Sequence, residues 1–311
     1  MKTFLFFYLA FVSVGFAQNF HEDSIKITTP GGALWGTLAV PSTKDKSHLV
    51  VFIAGSGPTD RNGNNTMGIK AQPYKLLAEE LAKQGIASFR YDKRGVGRSA
   101  KVKSETELSF ETYIDDAVKW IDTLRKDKRF DKIIIAGHSE GSLIGMIAAQ
   151  KIPVSGFISI AGAGRSAPVV LKEQLEPTID SLRKEAYTII DNLVAGKTVA
   201  KVSSSLTTLF RPSVQPYMIS WFKYDPTVEI AKLKTPTLIV QGTNDLQIPI
   251  SDGQRLAKAI PSAQYVEIEG MNHVLKKPES PAKNFDSYTK ADLPLAPNLV
   301  KTITTFIKEI K

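Results

Sequence analysis

Short apolar runs and helix-period patterns alternate along this chain from about residue 24 to its end. Ser24–Thr29 and Ala33–Val40 predict an opening pair of strands, split by Pro30-Gly31-Gly32. His48–Ala54 (HLVVFIA) is continuously apolar, the pattern of a strand buried on both faces. Pro73–Gln84 places Leu76, Leu77, Ala78 and Leu81 at helical spacing, with Gly85 as a stop. Ile86–Tyr91 predicts a strand, Phe110–Arg125 an amphipathic helix, Lys132–Ala136 a strand, Leu143–Gln150 an apolar helix and Phe157–Ala161 a strand. After a gap, Thr237–Gln241, Asp252–Ile260, Gln264–Ile268 and Asn298–Ile310 resume the order strand, helix, strand, helix. Such alternation predicts an α/β fold, a mostly parallel sheet with helices on both faces.

The gap, residues 163–234, has helical patterns and no clear strand. It predicts a helical insertion, with Leu171–Leu193 as one or two helices hinged near Pro177. Phe210, Tyr217, Trp221, Phe222 and Tyr224 crowd its second half, either as its own core or as the wall of a substrate pocket. The expected organisation is therefore 18–162 and 235–311 as two parts of one core, with 163–234 inserted between them.

Residues 1–17 (MKTFLFFYLAFVSVGFA) follow a different rule. Lys2 precedes an apolar run, and Gly15 and Ala17 stand two apart before Gln18, as a signal-peptidase site requires. The run is short for a membrane span. The expectation is an exported protein, periplasmic or secreted, with no stable span after cleavage. Removing Lys2 lowers the net charge from +9 to +8. That charge is spread along the chain without a basic stripe and interleaved aromatics, so nucleic acid is not an expected partner. The chain has no cysteine, which excludes a thiolate nucleophile, cysteine-based zinc sites and iron–sulfur clusters.

The chemistry concentrates at Gly137-His138-Ser139-Glu140-Gly141, a G-x-S-x-G between a predicted strand and a predicted helix. The turn is so sharp that residues two away from the serine must be small, and the helix turns its N-terminal amides toward the hydroxyl. A nucleophilic serine needs a base oriented by a carboxylate. Of four histidines, His21 is near the N-terminus, His48 begins a strand and His138 adjoins the serine; His273 lies just past the strand Gln264–Ile268. Active residues of parallel sheets gather at such carboxyl ends. Asp245, just past Thr237–Gln241, is the preferred acid, with Asp252 as a rival that reads as a helix-start residue. Oxyanion donors are expected from the amide of Glu140 and from the loop Gly55-Ser56-Gly57-Pro58, with Ser56 preferred over Gly57. Gly57, Tyr217, Trp221 and Phe222 are the candidate substrate contacts. Glu140 reads as a solvent-facing side chain, and Asp92 and Arg94 as a local ion pair.

Gly55–Asn64, Tyr91-Asp92-Lys93-Arg94-Gly95-Val96-Gly97-Arg98-Ser99 and GHSEG at 137–141 together resemble the α/β-hydrolase superfamily. Within it they are similar to a bacterial secreted subgroup of esterase-like or serine-aminopeptidase-like hydrolases. The resemblance implies an eight-stranded sheet with a lid between strands six and seven, and a triad of Ser139, Asp245 and His273. It implies an ester substrate of small size and neither metal nor cofactor. Two alternatives stay open. An aminopeptidase or amidase with the same triad would need an acidic group in the insertion for the substrate amine, for which Glu173, Glu176 and Glu185 are available. A binding module on the same fold would have no use for a complete triad.

Overall fold

The computed structural model describes residues 20–29, 32–43, 45–99 and 104–311. The expected export signal lies outside the described residues. Eight strands form one sheet: β1 (Phe20–Thr29), β2 (Gly32–Pro41), β3 (Ser47–Ile53), β4 (Ala87–Tyr91), β5 (Phe130–His138), β6 (Gly156–Ile160), β7 (Thr237–Gly242) and β8 (Gln264–Ile268). Their order across the sheet is β1-β2-β4-β3-β5-β6-β7-β8. β2 runs antiparallel to β1 and β4, and every other pairing is parallel.

Alternate side chains explain the unbroken apolar runs. From β3, Leu49, Val51 and Ile53 enter one hydrophobic layer and Val50 and Phe52 the other. The first layer is completed by α2 (Phe110–Leu124), α3 (Glu140–Lys151) and α9 (Ile250–Ala259). The second is completed by α1 (Pro73–Lys83) and α10 (Leu299–Glu309). The predicted core helices and strands are all present, with ends displaced by a few residues. Ser109 and Thr112 form a capping box that sets the start of α2.

Five helices separate β6 from β7: α4 (Ala167–Leu175), α5 (Asp180–Val194), α6 (Thr207–Phe210), α7 (Gln215–Trp221) and α8 (Pro226–Ile230). The predicted hinge at Pro177 falls between α4 and α5. Leu171, Ala186, Ile189, Ile190, Leu193 and Phe210 belong to a hydrophobic cluster of the insertion's own. The insertion is tied to the core where the Ser220 hydroxyl accepts from the Phe110 amide at 2.7 Å. Among the described residues no helix is long and apolar enough to cross a membrane.

Candidate active site

The strand order brings the site together. β3 lies between β4 and β5, so the sheet's winding reverses there and the loops after β3 and β5 open a crevice at the carboxyl edge. The approach is close: a Cβ added to Gly55 would sit 3.2 Å from the Cβ of Ser139.

Ser139 occupies the turn from β5 to α3 with φ 54° and ψ −123°, a strained conformation for a residue with a side chain. Its flanking glycines are dictated by contact with backbone. A Cβ on Gly137 would lie 2.3 Å from the Gly141 carbonyl oxygen, and one on Gly141 would lie 2.2 Å from that of Ile53. The turn is pinned by a Ser139 amide donating to Ile160 O at 2.9 Å.

His273 follows β8, and its Nδ1 is 2.8 Å from Asp245 Oδ2. The other carboxylate oxygen of Asp245 accepts from the amides of Gln247 at 2.8 Å and Ile248 at 3.0 Å. Burial by itself raises the Asp245 carboxyl. The charge and hydrogen bond of His273, with those two amides, outweigh it and hold the carboxyl below the usual carboxylate range. An ionised acceptor on Nδ1 fixes the tautomer that carries a proton there, leaving Nε2 as the basic edge. Ser139 and His273 line one small cavity of about 100 Å³ together with Gly55, Ser56 and Tyr74. No hydrogen bond joins Ser139 to His273.

A second cavity of about 80 Å³ also touches Ser139. Ser56, Glu140, Leu143 and Ile248 of the core face Leu171 and Trp221 of the insertion across it. Gly57 and Tyr217 line a neighbouring cavity of about 270 Å³, and Phe222 packs against the insertion's hydrophobic cluster. Of the four candidate substrate contacts, the structure therefore brings only Trp221 to a cavity shared with Ser139. Among the described residues the amides of Ser56 and Glu140 have no acceptor in the protein; Glu140 is the first residue of α3, where no helical acceptor exists.

Two expectations are corrected. Glu140 is buried, not solvent-facing, because Lys93 reaches across from the end of β4 to pair with it at 3.0 Å. Asp92 and Arg94 do not pair with each other. Asp92 takes Arg61 at 2.6 Å, and Arg94 takes Asp116 of α2 at 2.5 Å. Asp252 lies in the first turn of α9, as its reading as a helix-start residue expects, and it is fully buried and held by Arg165 at 2.6 Å and by the amide of Gly164 at 2.9 Å. That binding leaves it without access to His273.

Residue patterns did not reveal a buried chain behind the nucleophile. Gly55 N–H donates to Tyr74 Oη at 3.2 Å, Tyr74 Oη lies 2.8 Å from His138 Nδ1, and His138 Nε2 lies 2.8 Å from the His273 carbonyl oxygen. A neutral His138 with its proton on Nε2 satisfies both contacts, with Tyr74 donating to Nδ1. Burial, reinforced by the charge of His273, lowers the His138 pKa to about 3. The Tyr217 hydroxyl is buried without a hydrogen-bond partner among the described residues. Burial first, and then the charge of Glu140, raises its pKa well above the usual range.

The comparisons agree with this architecture. A family model described as "Serine aminopeptidase, S33" matches residues 66–277, well over half of the chain. Esterase EstD of Thermotoga maritima is 24% identical over 271 residues, which cover 83% of this chain and 61% of that protein's own length. A monoglyceride lipase homolog of monkeypox virus is 26% identical over 66% of this chain and 77% of its own. Est1E from Butyrivibrio proteoclasticus, solved with ferulic acid bound, superposes with a TM-score of 0.59 at 18% identity, covering 92% of this chain and 96% of that one. On this family match, with an α/β-hydrolase sheet beneath it, the chain belongs to the serine aminopeptidase S33 family.

Proposed function

We propose that the protein hydrolyses carboxylic esters with short acyl groups through an acyl-enzyme on Ser139. His273 Nε2 takes the Ser139 proton as the oxygen attacks the ester carbonyl. Asp245 holds the imidazole tautomer and stabilises the imidazolium. The amides of Ser56 and Glu140 receive the oxyanion. His273 then protonates the leaving alcohol and activates water for deacylation.

The observation that carries the ester reading over the peptidase reading is the state of the carboxylates. In the two cavities shared with Ser139, the single acid among the described residues is Glu140, and Lys93 neutralises it. A substrate ammonium would find no partner there. The insertion's candidates are engaged elsewhere: Glu173 with Arg165, Glu176 with Tyr187 and Arg183, and Glu185 with the amide of Ser203. The apolar walls from Leu143, Leu171, Trp221 and Ile248 suit an uncharged acyl group. The small cavity volumes favour a short one. From the leader read at residues 1–17 we infer that the protein is exported.

The aminopeptidase reading keeps the support of the family's description. A panel of p-nitrophenyl esters of increasing acyl length beside aminoacyl p-nitroanilides separates the two. Esters of two to four carbons should be turned over, aminoacyl anilides should not, and Ser139→Ala should lose on the order of 10⁴-fold. Cleavage of anilides alone, or activity kept in Ser139→Ala, would overturn the proposal.

A further inference from the structure

Lys93 is an unusual lysine for its position. It is 5% exposed, and three groups surround its ammonium. Nζ donates to the Gly55 carbonyl oxygen at 3.1 Å and to Glu140 Oε1 at 3.0 Å, and lies 4.5 Å from the centre of the Tyr113 ring. A buried cation requires such compensation. The choice of hydrogen-bond partners is what matters, because Gly55 and Glu140 each belong to a segment that supplies an oxyanion amide in the ester-hydrolase reading.

The Gly55 carbonyl and the Ser56 amide are the two ends of one peptide group. The peptide is planar and trans, so its C=O and N–H point in opposite directions. An ammonium on the oxygen therefore fixes where the N–H points. By drawing electron density toward oxygen, it also makes that N–H a stronger donor, as in any charge-assisted hydrogen bond. Tyr74 holds the same residue from its other side, through the Gly55 amide. The second arm of Lys93 ends on the Glu140 side chain, whose own amide is the other proposed donor. One buried cation thus ties together the two segments that must keep a constant separation for a tetrahedral intermediate to fit. Lys93 itself lines neither cavity that touches Ser139; it faces the neighbouring one, beside Gly57 and Tyr113.

We infer that Lys93 is a positioning residue of the oxyanion hole: it orients and polarises the Gly55–Ser56 peptide and locks it to the nucleophile turn through Glu140. The inference rests on the ester-hydrolase reading, so the two need separate readouts. Labelling by a fluorophosphonate probe tests the Ser139 nucleophile on which that reading stands: loss in Ser139→Ala supports it, and labelling kept in Ser139→Ala overturns both.

Lys93→Met alone would strand a buried carboxylate. The informative comparison is Lys93→Met with Glu140→Gln, against Glu140→Gln alone. The double variant removes both charges in near-isosteric form, and its melting curve reports folding. On p-nitrophenyl acetate its kcat should fall about 10–100-fold below that of Glu140→Gln, with KM within about threefold. That is less than the 10²–10³ of deleting a donor, because the Ser56 amide remains. The Kd for phenylboronic acid, whose adduct with Ser139 places an oxygen in the same hole, should weaken by a similar factor. A folded double variant with kcat within about threefold of Glu140→Gln, or a loss carried by KM with boronate affinity unchanged, overturns the inference.

Discussion

Charges around Ser139 are buried and shared between loops, whereas most of those of the insertion lie on its surface. Lys93–Glu140, Arg61–Asp92 and Arg94–Asp116 all join segments distant in sequence and are nearly excluded from water. In the insertion, Arg183 and Lys184 pair with Asp180 one turn away and Lys172 pairs with Asp191, all with at least one partner well exposed. Buried pairs of the first kind cost several kcal/mol to break from one side, and surface pairs of the second kind contribute roughly 0–1 kcal/mol. The core is therefore built to hold the reacting groups still. The insertion is held by its own apolar cluster and can change its surface without disturbing them. Substitutions in the first region should act on kcat, and in the second on which substrate is accepted.

The largest test of that division is Asp245→Asn. It keeps the shape of the acid but presents an amide to His273 Nδ1, so the wrong tautomer is favoured. A loss on the order of 10⁴-fold in kcat with a near-native melting temperature is expected. A loss under about tenfold would remove Asp245 from the mechanism and reopen the choice of acid.

Acid should act on the core next. His138 has its folded pKa lowered to about 3 from an ordinary 6.5. Between those values the unfolded chain binds a proton that the native state does not. Stability is complete above about pH 6.5 and falls as pH drops toward 3, by a few kcal/mol in order of magnitude. Asp245, with its lowered carboxyl, adds loss in the same direction as pH falls through its folded pKa. Urea midpoints across this range should decline steadily. A flat profile would mean that His138 is not buried neutral.

Two truncations of fully buried aromatics compare the regions directly. Trp120→Ala in the core and Phe210→Ala in the insertion each remove about 3–5 kcal/mol of packing. The first should lower the melting transition of the whole protein. The second should produce an earlier, partial transition and leave turnover of p-nitrophenyl acetate within about threefold. A single transition lowered equally by both would show that the insertion is not a separate cooperative unit.

The smallest effect concerns the wall between the two regions. Trp221→Ala widens the cavity beside Ser139 from the insertion side. It should shift the kcat/KM ratio of hexanoate over acetate esters upward by roughly tenfold, the worth of a methylene or two in an apolar pocket. An unchanged ratio would mean that acyl length is read elsewhere.

Much of this was legible from local pattern. Period-two and period-3.6 spacing located the strands and helices of the core, because burial on one or both faces of an element leaves that imprint in any fold. The elbow at 137–141 was legible because backbone crowding leaves no room for a Cβ at Gly137 or Gly141. Asp245 and His273 were singled out by position, just past β7 and β8, and their side chains meet in the structure. The partners of Glu140, Asp92 and Arg94 were not legible, for one common reason. A sequence offers each only its near neighbours or water, and each finds its partner through space.

The sequence by itself determined the alternation of elements, the strained turn at Ser139 and the chain order of Ser139, Asp245 and His273. These depend on periodicity and on steric room within a few residues. Tertiary structure alone decided which charges meet. Lys93 and Glu140 are 47 residues apart, Arg61 and Asp92 are 31 apart, and Arg165 and Asp252 are 87 apart. Their pairing follows from β3 lying between β4 and β5, and from β6 and β7 lying side by side. A charge's partner is set by distance and by the exclusion of water, and neither exists until the sheet has closed around it.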